Sequence, residues 1–334
     1  MRFPSSGRRA LAFCIALLLA APAWAEQRLV LYSSNDDTVN KMVADAFTKA
    51  SGIAVDVVST GSGVLFRRIV SESARPQADV VWGTSASLLK DNAKYLEAYA
   101  ARDREAVPAQ YRDPANLWIG TNLQVLTISQ NTKQIPAGTG PKSWADLLDP
   151  KWKGKIAYTD PANSGSAYVT ATFLVSLWGG GDAGWSKVRD LLANARVLNR
   201  STLVFEGNGT GEYPLGISLE YAGHLWAHNG APLEVIYPAD GTVALAEGVG
   251  IVKGGPNPEA ARAFVEFVTG RAIQEELLRT TFRRPARQDI DLSALPGHMP
   301  PLSQLKLVPY DDAQWEAARR DTLARLRTLI QETR

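Results

Sequence analysis

The chain reads as an α/β protein of two lobes joined by crossing segments, and three observations predict this. From Gln27 onward, short apolar runs alternate with stretches of helical periodicity. Four of the runs lead into clusters of Ser, Thr, Asn and Gly just ahead of a helix start. The second half then restates the theme of the first, with no short-period repeat.

In chain order, Arg28 to Tyr32 is the first expected strand, closed by Ser33-Ser34-Asn35. Val39 to Ala50 carries Met42, Val43, Ala46 and Phe47 at helical spacing and stops at Gly52. Ile53 to Val58 is a strand, and Thr60-Gly61-Ser62-Gly63 opens a helix reaching about Ser73. Ala78 to Trp82 is a strand ending at Gly83-Thr84, again before a helix. Leu123 to Ser129 is an unbroken apolar strand, followed by a Pro/Gly-rich stretch and a short helix over Ser143 to Leu148. Gly154 to Tyr158 is a strand that leads through Thr159 and Asn163-Ser164-Gly165-Ser166 into a helix over Ala167 to Trp178. Gly179-Gly180-Gly181 stops that helix, and Trp185 to Ala193 supplies another. Leu215 to Leu219 is a strand ending at Glu220-Tyr221, and Leu233 to Tyr237 is one leading into Asp240-Gly241-Thr242. Val243 to Val252 is an apolar stretch returning toward the first lobe, with crossings near residues 120 to 126 and 242 to 250. Helices are expected over Pro258 to Thr269, Ala272 to Leu278 and Trp315 to Glu332.

Met1 to Ala25 carries Arg2, Arg8 and Arg9, then the apolar run Ala10 to Ala21, then Ala23-Trp24-Ala25 before Glu26. That order is a secretory signal peptide with cleavage expected after Ala25. Its removal takes away three arginines and leaves 33 basic against 34 acidic groups, so the apparent net charge of +2 says nothing for nucleic acid. The only cysteine, Cys14, lies inside the apolar run and leaves with it. A lipidated Cys14 fits poorly, because Phe13 before it is bulky and the apolar run continues past it. No later stretch approaches the roughly 20 apolar residues of a membrane span. The mature protein is expected to be soluble and exported.

The residues offer little catalytic chemistry. No G-x-S-x-G elbow follows a strand, since Gly61-Ser62-Gly63 lacks the flanking spacing. His224 and His228 lie one helical turn apart, but no carboxylate or cysteine pattern completes a metal motif, which makes a solvated helix face the simpler reading. His298 sits in a proline-rich loop. Neither G-x-x-x-x-G-K-[ST] nor a strand-linked G-x-G-x-x-G is present. The hydroxyl-rich turns make another offer: neutral donors and helix N-terminal amides together solvate an anion such as a phosphate or phosphonate. Taken singly each turn is an ordinary cap; their recurrence beyond strand ends makes a ligand site there. Arg67 and Arg68 lie in the helix that Ser62 opens, and either adds charge or faces water. Trp82 and Tyr221 at strand ends are walls of a site or plain core. A secreted phosphoesterase built on the same turns is the enzymatic alternative.

Several runs are also familiar. Leu29-Val30-Leu31-Tyr32-Ser33-Ser34, Ala44-Asp45-Ala46-Phe47-Thr48-Lys49-Ala50-Ser51-Gly52-Ile53, Ala78-Asp79-Val80-Val81-Trp82-Gly83, Trp144-Ala145-Asp146-Leu147-Leu148-Asp149-Pro150-Lys151-Trp152-Lys153-Gly154-Lys155-Ile156 and Arg283-Arg284-Pro285-Ala286-Arg287 follow one another in this order. The chain thereby resembles the periplasmic solute-binding proteins of ABC importers, in the branch of ferric-ion, thiamine, 2-aminoethylphosphonate, phosphoglycerate and hexose-phosphate binders. The resemblance implies a type II periplasmic-binding fold, each lobe a mixed, largely parallel sheet flanked by helices, hinged by crossing strands. It implies no catalytic residue, no cofactor and no resident metal. The expected partners are a small anionic solute and the permease and ATPase subunits of an inner-membrane importer, and a monomer is expected. Residues 26–122 with 246–282 are expected to form lobe 1, and 123–245 with 283–334 lobe 2.

Ligand positions of the family match here at Ser33, Ser34, Thr60, Gly61, Ser62, Gly63, Gly83 and Thr84 in the first lobe. In the second they match at Asn163, Ser164, Gly165, Ser166, Glu220, Tyr221, Asp240, Gly241 and Thr242. Ferric-ion binders of this branch usually present two consecutive tyrosines where this chain has Tyr221 followed by Ala222. Hard Fe(III) wants anionic oxygen ligands, so the missing phenolate favours an organophosphate or phosphonate over iron; ferric-ion or thiamine binding is the alternative within the same branch. Glu220 and Asp240 are then expected to meet an ammonium or sugar hydroxyls of the same ligand.

Overall fold

The fold turns on two long strands that tie two wings of sheet together. The computed structural model describes residues 28–292 and 299–333; the signal peptide with Cys14 and Ala25, and His298, lie outside the described residues. The first wing comprises β1 (Arg28–Ser33), α1 (Asp37–Ser51), β2 (Ala54–Ser59), α2 (Ser62–Ser71), β3 (Val80–Ser85), α3 (Ala86–Asp91) and the short β4 (Leu96–Glu97). The chain then enters β5 (Ile119–Asn131), thirteen residues buried from end to end. The second wing holds β6 (Ile156–Thr159), α4 (Gly165–Leu177), α5 (Gly181–Asn194), β7 (Ala195–Leu198), α6 (Ser201–Thr210), β8 (Leu215–Leu219), α7 (Glu220–His228) and β9 (Leu233–Ile236). The return strand is β10 (Ala244–Val252), followed by α8 (Pro258–Thr269), α9 (Arg271–Thr281), the two-residue β11 (Arg284–Pro285), α10 (Asp312–Ala317) and α11 (Arg319–Glu332).

The hydrogen-bonded order is β2-β1-β3-β10-β5-β8-β6-β7, with β4 on β10 and both β9 and β11 on β5. β1 pairs in parallel with β2 and β3, and β6 with β7 and β8. Every pairing that involves β5 or β10 is antiparallel. The sheet is therefore mixed, parallel in its wings and antiparallel where the chain crosses between them. Parallel neighbours place their carboxyl ends side by side, and in open α/β sheets that edge is where ligands bind.

Each wing has its own core. Leu29, Val43, Phe47, Trp82 and Phe264 pack in one, with Phe47 meeting Phe264 edge to face at 5.2 Å between ring centroids. Trp144, Phe173, Leu191, Leu215 and Leu326 pack in the other. Burial of each such side chain contributes about 1.5–3 kcal/mol.

Most expected elements appear within two or three residues of their anticipated ends, and the exceptions are informative. β7 and α6 were not expected; α6 (Ser-Thr-Leu-Val-Phe-Glu-Gly-Asn-Gly-Thr) contains two glycines and an asparagine and reads as loop on propensity alone. Packing decides otherwise: a Cβ at Gly207 would lie 2.7 Å from the ring of Tyr213, and one at Gly209 2.7 Å from Trp226. Residues 145–148 form a 3-10 turn rather than an α-helix, and the terminal helix is divided into α10 and α11 at Ala318. His224 does not lie on a solvated face: it is buried, with Nε2 3.0 Å from the Tyr237 hydroxyl, while His228 packs against Phe282.

Gly184 in α5 lies so close to α4 that a Cβ would run into the carbonyl oxygen of Val175. Gly184→Ala is therefore expected to destabilise the fold by about 1–3 kcal/mol, the usual cost of overpacking, despite the better helix propensity of alanine. Equilibrium urea unfolding measures it, and an unchanged midpoint would contradict the close helix approach.

Candidate functional site

The site is assembled at the carboxyl edges of both wings. In the first, β1 and β3 are parallel neighbours, so the turns after them meet. Ser62 Oγ donates to Ser34 Oγ at 2.9 Å, and Ser34 Oγ donates in turn to the carbonyl oxygen of Gly83. The Thr60 amide donates to the Ser33 carbonyl at 3.1 Å, which sets the α2 start beside the end of β1. Gly83 has φ +74°, and a Cβ there would collide with the side-chain amide of Asn35, so only glycine serves at this point. Gly61 caps α2, whose first amides have no intrahelical acceptor. Arg67 reaches back over that turn, its guanidinium 3.6 Å from where a Gly63 Cβ would stand. Arg68 instead pairs with Glu72 at 2.7 Å and covers the Tyr32 ring.

The second wing gathers four hydroxyls from three elements. Ser164 caps α4 by accepting from the Ala167 amide at 3.3 Å. Its Oγ lies 3.0 Å from Ser166 Oγ and 3.1 Å from Ser201 Oγ, and Thr159 Oγ1 donates to Ser201 at 3.3 Å. The starts of α4 and α6 thus converge on one hydroxyl network beyond the end of β6. A pocket of about 10 Å³, room for roughly one water, opens there between Thr159, Ser166, Thr170, Ser201, Ser218 and Leu219. Gly165 is exposed in the first turn of α4, and Asn163 is exposed just before it.

Arg283 links the two wings. Its guanidinium stacks over the ring of Tyr221 at 4.4 Å, while Nη2 donates to Asp36 Oδ2 at 2.9 Å and Nη1 stands 3.7 Å from Glu247 Oε2. Asp36 follows Ser34 by two residues, and Tyr221 follows the Leu219 of the hydroxyl pocket by two. Contacts therefore run from Asp36 of the first wing through Arg283 to Tyr221 of the second. Burial pushes the Tyr221 hydroxyl up from its ordinary value; Arg283 opposes the shift, and the Glu247 and Asp36 carboxylates add to it.

Not every expected site residue is available to a ligand. Glu220, expected to face an ammonium, is instead buried and spent on protein: Arg284 donates to Oε2 at 2.9 Å and Oε1 at 2.6 Å, and the Tyr237 hydroxyl donates to Oε1 at 2.7 Å. Asp240 accepts from the amides of Trp144 at 3.0 Å and Ala145 at 3.2 Å, so its carboxylate caps the 3-10 turn at 145–148. Thr242 is buried and donates to the Leu126 carbonyl at 2.6 Å, and the Gly241 carbonyl takes the Trp144 indole N–H at 2.8 Å. Ser33 is buried with its hydroxyl accepting from Asn35, and Thr84 is buried with Oγ1 unpartnered. Trp82 is core, donating through Nε1 to Thr121 at 3.3 Å. Conversely, Ser201, Thr159, Asp36, Arg283 and Glu247 were not singled out as site residues. Val197-Leu198 ahead of Ser201-Thr202 repeats the pattern of apolar strand then hydroxyls, which was the available signal for Ser201.

Comparison with known proteins identifies the family. Residues 76–314 match the family model described as bacterial extracellular solute-binding protein, and the chain belongs to that family. A putative 2-aminoethylphosphonate-binding periplasmic protein of Salmonella typhimurium is 28% identical over 292 residues, 82% of this chain and 83% of its own. An Fe(3+)-binding periplasmic protein of Serratia marcescens is 27% identical over 270 residues, 78% of this chain and 79% of its own. The solved structure of the periplasmic binding protein AfuA from Actinobacillus pleuropneumoniae, with fructose-6-phosphate bound, superposes with a TM-score of 0.82 at 27% identity, covering 92% of this chain and 99% of that one. The chain is thus a solute-binding protein of the ABC-transporter kind with the two-lobed type II fold.

The Glu220–Arg284 pair yields a test of stability. Both side chains are at most 2% exposed, so removing one leaves a buried charge without its partner. Glu220→Ala is expected to cost about 3–5 kcal/mol in urea unfolding, while replacing both residues by apolar ones of similar volume costs much less. Equal losses in the single and double variants would contradict a closed ion pair.

Proposed function

We propose that this chain is the periplasmic substrate-binding component of an ABC importer, capturing a small organophosphate or phosphonate between its lobes and delivering it to the permease. In this reading it is exported with cleavage after Ala25, acts as a monomer and has no catalytic role. The observation that carries the ligand class is the four-hydroxyl network of Thr159, Ser164, Ser166 and Ser201 at the converging starts of α4 and α6. Hydroxyls rotate to donate, and helix N-terminal amides carry a partial positive charge, so the arrangement suits an anion with several acceptor oxygens. The Ser34–Ser62 pair and the first turn of α2 are the matching donors of the first lobe.

The competing ligand within this family is iron. Fe(III) needs anionic oxygen donors, yet Ala222 next to Tyr221 is buried and brings no phenolate, and the surroundings of Tyr221 favour its protonated form. Closure on a solute bridging both lobes is a shift between open and closed states, driven only by contacts the ligand makes in the closed one.

Thermal unfolding in the presence of 2-aminoethylphosphonate, hexose 6-phosphates, phosphoglycerates, thiamine and ferric citrate tests the proposal. A phospho ligand at 100 times its Kd is expected to stabilise the chain by about 2.7 kcal/mol. Ser164→Ala and Ser62→Ala are each expected to weaken that binding, with about 1–3 kcal/mol lost per charge-assisted hydrogen bond. Stabilisation by iron alone, with a visible tyrosinate band lost in Tyr221→Phe, would replace the phospho reading by the ferric one. Hydrolysis of generic phosphoesters abolished by Ser62→Ala would replace it by the phosphoesterase.

A further inference from the structure

Glu247 sits on β10 directly opposite Asn122 of β5, on the strands that cross between the wings. Its Oε2 accepts from Asn122 Nδ2 at 2.9 Å and from Gln124 Nε2 at 2.7 Å, and Arg283 Nη1 stands 3.7 Å from the same atom. Its Oε1 accepts no hydrogen bond among the described residues, and the side chain keeps 22% of its exposure. Gln124 must turn its NH2 toward the carboxylate, because the opposite orientation would bring two acceptors together. Its own Oε1 is thereby left over, in a side chain 8% exposed, with no donor among the described residues. Arg283 is 6% exposed and its Nε is likewise unpartnered. Two acceptors at the crossing strands thus lack a donor.

The charge balance points the same way. Two carboxylates, Asp36 and Glu247, face the single Arg283 guanidinium, which leaves one negative charge in excess beside Tyr221. The neighbouring Glu220 and Arg284 neutralise each other and contribute nothing to it. A purely anionic solute held at the hydroxyl turns would be repelled by that excess; one carrying a cationic group as well would neutralise it. The distance is short, because Asp36 is two residues from Ser34 and two residues span at most about 7 Å.

We propose that Glu247, with Gln124 and Asp36, forms a second subsite that takes the ammonium group of a zwitterionic ligand whose phospho group lies at the hydroxyl turns. This rests on the phospho reading above and narrows it from organophosphates in general to short aminoalkyl phosphonates or phosphates. An ammonium brings three N–H donors, enough for Glu247 Oε1, the spare oxygen of Gln124 and the carboxylate of Asp36. Glu220 and Asp240 have no part in it, since protein groups already occupy them.

Isothermal titration with 2-aminoethylphosphonate and with ethylphosphonate, which differ by the ammonium group alone, tests the subsite on the mature chain. The amino ligand is expected to bind at least tenfold more tightly. Glu247→Gln is expected to weaken the amino ligand and bring the ratio of the two affinities to within about threefold, since a charged hydrogen bond becomes a neutral one. Should that variant fold poorly, Asp36→Asn, which keeps the cap of α1, is expected to lower the same ratio. Equal affinity of the two phosphonates for the unaltered chain would overturn the subsite and leave the phospho reading standing, as would a ratio unmoved by either variant. Binding of neither phosphonate nor of any hexose phosphate would remove the phospho reading and the subsite with it.

Discussion

The buried pairing of Glu220 with Arg284 is the constraint on which the site depends. Glu220 opens α7 at the end of β8, and Arg284 lies in β11, which is hydrogen-bonded to β5 opposite Leu123. Closing that ion pair docks the start of α7 against the crossing strand. The residues next in sequence then meet as a second pair, Tyr221 beneath Arg283. A buried ion pair adds little net stability over apolar packing, but it tolerates few geometries, and here the geometry is what the site uses. The Tyr237 hydroxyl on Glu220 and the Pro300 carbonyl on Arg284 at 2.7 Å add to the pair, while Nη1 of Arg284 stays buried without a hydrogen-bond partner among the described residues. The cost of desolvating both groups is offset by four hydrogen bonds, each with at least one charged partner.

That arrangement divides the labour of the charged residues. Glu220, Arg284 and Asp240 serve the fold: one pair fixes α7, and one carboxylate caps a 3-10 turn. Arg283, Asp36 and Glu247 remain around Tyr221 with their charges only partly matched. The donors of the hydroxyl turns are neutral, with Arg67 as the one full charge that reaches over the start of α2. Neutral donors suit a carrier, because an anion bound by hydroxyls and helix ends is held without the deep well that a buried cation would create, and release stays possible.

The fold was legible in the sequence because its signals are local. Val43 and Phe47 at helical spacing, Gly52 in the left-handed region at the end of α1, and the apolar run within β5 each act over a few residues. What stayed hidden depends on contacts distant in sequence. α6 is helical because Gly207 and Gly209 admit the rings of Tyr213 and Trp226, a reason invisible to propensity. The hydroxyl turns could be read because strand, polar cluster and helix follow directly in the chain. Whether an acidic residue serves the ligand or the fold could not be, since Glu220 meets its arginine 64 residues away and Asp240 meets its amides 95 and 96 residues away.

The same consideration weighs against Tyr221 alone serving as an iron ligand. Burial and the Glu247 and Asp36 carboxylates push the Tyr221 hydroxyl up from its ordinary value, and Arg283 opposes the shift. A ferric ion would supply the missing positive charge, but it would also need further anionic oxygens, and Glu220 and Asp240, the carboxylates nearest in sequence to the expected iron positions, are committed elsewhere. Among the described residues, Glu247 keeps one oxygen without a donor, and Asp36 shares both of its own, with the α1 cap and Arg283. Such a donor set is poor in anionic oxygens for a hard trivalent ion. The proposed subsite of Glu247, Gln124 and Asp36 asks only for a monovalent ammonium, whose charge matches the single excess negative charge around Arg283.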